Sequence, residues 1–274
     1  MKKVLLSLLV MVLSIAVIYG QTAINQTDAA GKKQGAWEEK TATGISKGSF
    51  VDDQKEGCWT SYANDGKLSR IEHFVKGSHE GIAVDIDQRG YLVSEIYYLN
   101  NLIEGTAKRF YYGTNPASTI EYVHGKINGK KKIYYENSAG KIQEESEYKD
   151  DVKNGTSNYY TISGDPVAEY NYVNNMLQGV QKSYYAGKKI MSEQEYTDNV
   201  ENGFTKEYYE NGKLKLEGVY VKGVLSGVWK EYDEEGRLKL HGTYVHGEKE
   251  GKWQEFDVAG KVIKTTTFVK GQAK

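Results

Sequence analysis

Several residues in this chain are of types that do chemistry. Gly44-Ile45-Ser46-Lys47-Gly48 spells the nucleophile elbow of a serine hydrolase. That pattern needs a strand, a sharp turn and a helix, with a histidine and an acid brought in from elsewhere. Here the stretch reads as a turn and return strand with no helix following, so no catalytic residue is assigned and the chain is not expected to be an enzyme. The five histidines raise the question of a metal. His124 and His246 share one position of a repeating pattern but lie five repeats apart, and His73 and His79 flank a turn without an obvious third ligand. Solvated turn histidines explain them, so neither metal nor cofactor is expected. Lone Cys58 cannot close an internal disulfide.

The elements that position these residues are set by a recurring glycine. It stands at Gly35, Gly57, Gly81, Gly105, Gly129, Gly155, Gly179, Gly203, Gly227 and Gly251, mostly 24 residues apart, which describes ten copies of one supersecondary unit. Seventeen residues after each glycine, adjusting for a short first and a long fifth repeat, stands an aromatic residue, from Phe50 to Phe268. Five residues after the glycine most repeats carry another, such as Tyr134, Tyr208 and Tyr232, with Ile86 as the exception. Three residues beyond the first aromatic series only Asp, Asn or Gly appears, including Gly77, Gly125, Gly223, Gly247 and Gly271. These residues tolerate positive φ, so the position is read as a structural turn. A second turn falls mid-repeat, as at Gly212 and Gly236.

Two turns in 24 residues leave two strands per repeat. In the eighth repeat the return strand places Leu214, Leu216, Gly218 and Tyr220 on one face. Asn-Gly, a strong hairpin signal, occurs at Asn128-Gly129, Asn154-Gly155, Asn202-Gly203 and Asn211-Gly212. Pro116 and Pro166 fall where a strand should begin, a place where proline is tolerated. The expected fold is all-β: an elongated, twisted antiparallel meander of about ten 24-residue β-hairpin repeats, some twenty strands, spanning 33–271, with a linker at 21–32 and a tail at 272–274.

Composition agrees. Hydrophobic residues make up 39% of the chain and Tyr outnumbers Phe by 23 to 6, which suits a thin sheet whose core is never far from water. Residues 1–20 differ. Lys2 and Lys3 precede an apolar run from Val4 to Ile18, and Gly20 offers a small residue for cleavage, so this is read as a secretory signal peptide and the mature protein as exported. Acidic residues slightly outnumber basic ones, 37 to 36, which argues against nucleic acid and does not itself imply a membrane.

Four side-chain series remain. Lys108, Lys132, Lys182, Lys206 and Lys230 follow the glycine by three, on the same nominal face as the aromatics at position five, so either a bulge intervenes or that face is partly wet. Glu95, Glu145, Glu169, Glu193 and Glu217 align as a matching acidic series, read as cross-strand charge pairs, with an acidic ligand-binding stripe as the alternative. Trp37, Trp59, Trp229 and Trp253 share a position two after the glycine, in the first two and last two repeats, and are read as caps. Tyr111, Tyr135, Tyr185 and Tyr209 directly follow the aromatic at position five and should face the other way. They form either a platform for a protein partner or an envelope polymer, or part of the packing against the sheet's second face.

The Gly-x-x-x-x-Tyr-Tyr-x-x-Gly-Lys-Leu pattern at Gly203 to Leu214, with Tyr-x-x-Gly at Tyr220 to Gly223, resembles the bacterial variant of the MORN repeat. It is similar to repeats in proteins grouped as YwqK-type antitoxins. The resemblance implies a β-hairpin scaffold for protein or membrane association, and the antitoxin grouping implies neutralisation of a partner.

Overall fold

The computed structural model describes residues 23–112 and 115–274, so the expected signal peptide lies outside the described residues. All regular elements described are β-strands, 26 in number, and every described pairing is antiparallel between segments close in sequence, as a meander requires. The chain divides into two compact units, one ending at Gly90 and one running from Tyr91 to Lys274. Four runs are cut in two, as between Ser78–His79 and Gly81–Ile86, and short strands Gln26–Thr27 and Gln272–Ala273 are added at either end, which is why the strands outnumber the expected twenty.

The eighth repeat shows the unit. Strand Val200–Tyr208 pairs with Leu214–Val221 through Gly203↔Tyr220, Thr205↔Gly218 and Lys206↔Glu217. A shift between Glu207 and Tyr208 then sets Leu214 opposite Tyr208. Leu214 therefore leaves the face of Leu216, Gly218 and Tyr220, and the simple alternation expected from sequence fails at that residue. The same shift recurs in the other repeats of the second unit, for example at Ile133/Tyr134, Tyr159/Tyr160 and Glu231/Tyr232.

The turns are of two kinds. Mid-repeat, the Tyr209 amide donates to the Lys213 carbonyl and the Gly212 amide to the Tyr209 carbonyl. At the repeat's end the turn has two residues, both with positive φ, such as Lys222 (50°) and Gly223 (79°). This is the hairpin geometry that matches strand twist. Only the second of the two positions stands out in the sequence pattern. The first holds Asp52, Lys76, Asn100, His124, Asp150, Asn174, Asp198, Lys222, His246 and Lys270, and most of these are the Asn, Asp and His that visit the left-handed region most readily. Each turn also joins its predecessor: the amides of Gly77, Gly125, Gly223, Gly247 and Gly271 donate to the carbonyls of Lys55, Ile103, Glu201, Leu225 and Lys249.

Three of the four Asn-Gly pairs are not turns. Asn128-Gly129, Asn154-Gly155 and Asn202-Gly203 lie inside strands Lys126–Tyr134, Val152–Tyr160 and Val200–Tyr208. Their glycines take φ of 115°, 119° and 132° at a bulge. A glutamate from the facing strand covers each: Glu121, Glu147 and Glu195 accept hydrogen bonds from the amides of Lys130 (2.8 Å), Thr156 (3.1 Å) and Phe204 (3.3 Å). A Cβ on any of the three glycines would overlap that glutamate's carboxylate oxygen. Pro116 and Pro166 open strands Pro116–Val123 and Pro166–Val173, as expected.

Parts of the expected linker and tail are also strand. Gln26–Thr27 pairs with Lys33 and Gln34, and Gln272–Ala273 pairs with Val269 and Phe268. In the first unit the aromatic rows meet edge to face, Trp37 on Phe50 at 5.4 Å, Phe50 on Trp59 at 5.1 Å and Trp59 on Phe74 at 6.5 Å. The Lys55 ammonium lies 4.0 Å from the Trp59 ring centre, closing this small core with a cation–π contact.

Candidate functional site

The chemistry-bearing residues fall on two faces, and hydrogen bonds show which residue is on which. On one face of the second unit, termed outer because the tryptophans bury the other, a polar row crosses the strands through the directly opposed pairs Glu169↔Lys182, Lys182↔Glu193, Glu193↔Lys206, Lys206↔Glu217 and Glu217↔Lys230. Lys230 Nζ and Tyr232 Oη both donate to Glu217 Oε1, at 3.1 and 2.8 Å. Lysine and position-five tyrosine therefore share a face, and that face is wet. The register shift falls between them, but its extra residue, Lys239 opposite Glu231 and Tyr232, is on the facing strand, so the strand that carries Lys230 and Tyr232 keeps its alternation. Tyr208 Oη likewise donates to Glu193 Oε2 at 2.8 Å. Burial, then the bond to a glutamate, pushes the Tyr208 and Tyr232 phenols up to about 12. Burial opposes ionisation of Glu145, yet the ammonium groups of Lys130 and Lys132, at 2.7 and 2.8 Å, outweigh it and hold the carboxyl below its usual range. The acidic series is thus bound up in cross-strand pairs.

The doublet tyrosines do something the sequence did not announce. Tyr111 Oη donates to the carbonyl of Tyr134 at 3.0 Å, Tyr135 to that of Tyr160 at 2.7 Å, Tyr185 to that of Tyr208 at 2.8 Å and Tyr209 to that of Tyr232 at 2.8 Å. Each phenol thus ties its own mid-repeat turn to the end of the first strand in the next repeat. A bond of this kind contributes about 1 kcal/mol net. The four rings are half-buried, neither sealed in a core nor fully exposed. The ladder is interrupted in the sixth repeat, where Thr161 bonds within its own turn to Ser163 at 3.0 Å. In the ninth and tenth repeats the same position is aspartate: Asp233 and Asp257 accept from amides of their own turns.

Of the tryptophans read as caps, Trp229 and Trp253 lie in a row on the opposite, inner face of the second unit, and Trp59 is packed in the same way within the first. Their partners are glycines whose φ is not positive and whose role is space. A Cβ on Gly48 would overlap the indole of Trp59, one on Gly218 that of Trp229, and one on Gly242 that of Trp253. Trp59 and Trp253 are 1% and 3% exposed. Their Nε1 atoms donate to the carbonyls of Ser49 and Thr243, both at 3.2 Å. A glycine on the return strand just before each of Trp59, Trp229 and Trp253 was the available signal for this packing.

Ser46 of the elbow-like motif lies in strand Gly44–Val51, buried, accepting from Ser61 Oγ at 3.2 Å. His124 and His246 occupy first turn positions with φ of 50°, and His79 stacks on Phe74 at 5.0 Å. Cys58 is exposed, directly opposite His73. The structure brings neither His124 and His246 nor the two halves of the tyrosine ladder together at one point. It lays them out along rows.

No curated protein matches the chain. Four segments, 55–76, 177–198, 202–222 and 225–246, match the MORN repeat variant, and each covers most of one turn-to-turn period of the fold described above.

Proposed function

We propose that the chain is an exported, non-catalytic repeat scaffold that binds a protein partner or an envelope polymer through its sheet surface, with Tyr111, Tyr135, Tyr185 and Tyr209 as the contact residues. The observation that supports this is the ladder itself. Four tyrosine rings in one repeat position are pinned by the same hydrogen bond while remaining half-exposed. A pinned aromatic ring loses little rotamer freedom on binding, which is why such residues dominate interface energies. The leader-like pattern of Lys2, Lys3, Val4–Ile18 and Gly20 supports export, checked by an N-terminal sequence beginning near Gln21.

The test separates the ring from the hydroxyl. Phe at Tyr135, Tyr185 and Tyr209 removes the staples and keeps the rings; Ser removes both. Pull-down of the native partner should survive the Phe triple variant and fail with the Ser triple variant, at unchanged β-type circular dichroism. Binding retained by a folded Ser variant would remove these residues from the contact surface. Recovery of one toxin-like partner in reproducible amount would replace the scaffold reading with an antitoxin-like one.

A further inference from the structure

The edge of the second unit formed by the two-residue turns carries a row of bare aliphatic side chains. Val173, Met176, Val200, Val221, Val224 and Val245 flank successive turns and are 47, 37, 44, 48, 42 and 44% exposed. They form directly opposed pairs across the turns, Val173↔Met176 and Val221↔Val224, and they adjoin from one turn to the next: a Cβ on Gly223 would lie 3.5 Å from Val200 Cγ1. An exposed apolar row of this length marks a contact surface.

The turn residues beside it say what the contact is. From Asp150 onward, beyond the unit's first two turns Asn100-Asn101 and His124-Gly125, the turns read in order Asp150-Asp151, Asn174-Asn175, Asp198-Asn199, Lys222-Gly223, His246-Gly247 and Lys270-Gly271. The first half is acidic or neutral and the second half basic. Among the described residues, the side chains of Asp198, Lys222 and Lys270 make no hydrogen bond or ion pair within the chain. We infer that this edge is the contact between two copies of the chain, lying antiparallel about a two-fold axis between the turns at Asp198 and Lys222. That axis places Asp198 opposite the other copy's Lys222, Asp150 and Asp151 opposite its Lys270, and Asn174 opposite its His246. An isologous contact meets every pair twice, so a self-complementary charge order of this kind selects one register. The inference stands apart from the ligand of the tyrosine ladder.

The test uses residues that the repeats already accept. Lysine stands at the first turn position at Lys76, Lys222 and Lys270, and aspartate at Asp52, Asp150 and Asp198, so Asp198→Lys and Lys222→Asp keep a residue type proven at φ near 50°. Sedimentation of the full chain under reducing conditions should show a dimer that weakens with added salt. Each single variant should dissociate at least on the order of tenfold more readily. An equimolar mixture of the two should dimerise again. The lysine introduced by Asp198→Lys in one copy then meets the aspartate introduced by Lys222→Asp in the other, and the native pair remains at the second contact. Circular dichroism confirms that both variants are folded. A wild-type monomer at every concentration, or a dimer indifferent to both substitutions, overturns the inference, as does failure of the mixture to recover.

Discussion

The inner face of the second unit is built in two ways. In its last repeats the row carries tryptophan against glycine, with Trp229 over Gly218 and Trp253 over Gly242, and Tyr244 and Trp253 meeting edge to face at 5.0 Å. In its middle repeats the same row runs through directly opposed polar pairs: Ser146 against Ser157, Gln181 against Gln194, and Gln194 against Thr205. Ser146 and Ser157 are 0% and 1% exposed, so this part is no less buried. The difference lies in what the burial gains. An indole buried against a bare backbone removes a large apolar area from water. A buried serine hydroxyl must find a partner or cost stability. Ser146 finds one in Glu144 at 2.7 Å, whereas the Ser157 hydroxyl and the Gln194 amide nitrogen have none among the described residues. The end repeats are built for stability, and the middle retains polar groups at a cost.

The largest expected effect is at the tryptophan end. Trp253→Ala should cost about 3–4 kcal/mol in urea denaturation, in line with other buried aromatic truncations. Gly242→Ala should cost about 2–3 kcal/mol alone, because its Cβ has no room beneath the indole. In a Trp253→Ala background that cost should fall below about 1 kcal/mol, since the two side chains compete for one space. Additive losses would show that the glycine is required for some reason other than space.

A smaller effect of opposite sign belongs to the middle. Ser157→Ala removes an unpartnered buried hydroxyl and should leave stability unchanged or raise it by about 1 kcal/mol. A clear loss would mean that the hydroxyl is satisfied in solution and that the polar row is as well paired as the tryptophan row is packed.

The mildest prediction concerns alkali. Burial raises the phenols of Tyr148, Tyr159 and Tyr172 in the middle repeats above the usual tyrosine value. A group whose folded value is raised stabilises fully below its unfolded value, about 10, and loses that contribution as pH climbs through the folded value. Tyr220, Tyr232 and Tyr244 of the last repeats are raised as well, but there the tryptophan packing offsets the loss, so the middle should loosen first above about pH 10. All four tryptophans lie in the first two or last two repeats, so their emission reports the ends while phenolate absorbance reports the tyrosines. Simultaneous changes in the two signals would erase the distinction between the regions.

Much of this fold is legible because the repeat is visible in side chains that obey backbone rules. Glycine, asparagine and aspartate mark the second residue of each end turn, and the prolines mark strand starts. The three Asn-Gly bulges look like hairpin turns in sequence because the dipeptide only says that positive φ is allowed. Whether it closes a hairpin or eases a slip inside a strand depends on the glutamate of the facing strand, as Glu147 does for Gly155. The tyrosine ladder is half legible. The doublets stand out, but a phenol reaching a carbonyl 23 to 25 residues on leaves no mark at the acceptor, since every residue has a carbonyl.

Those staples, like the amides that join one end turn to the previous one, always reach the neighbouring repeat and no further. Length is therefore a free variable of this architecture. Excising one whole period, such as the 24 residues from Gly203 to Ser226, would present Tyr185 with the carbonyl of Tyr232 in place of that of Tyr208 and leave each surviving rung a partner of the same kind. Removing one residue fewer would turn every later side chain to the wrong face. A gene encoding such a chain can lengthen or shorten its product by unequal exchange between repeats, in quanta of one hairpin, without inventing a new core.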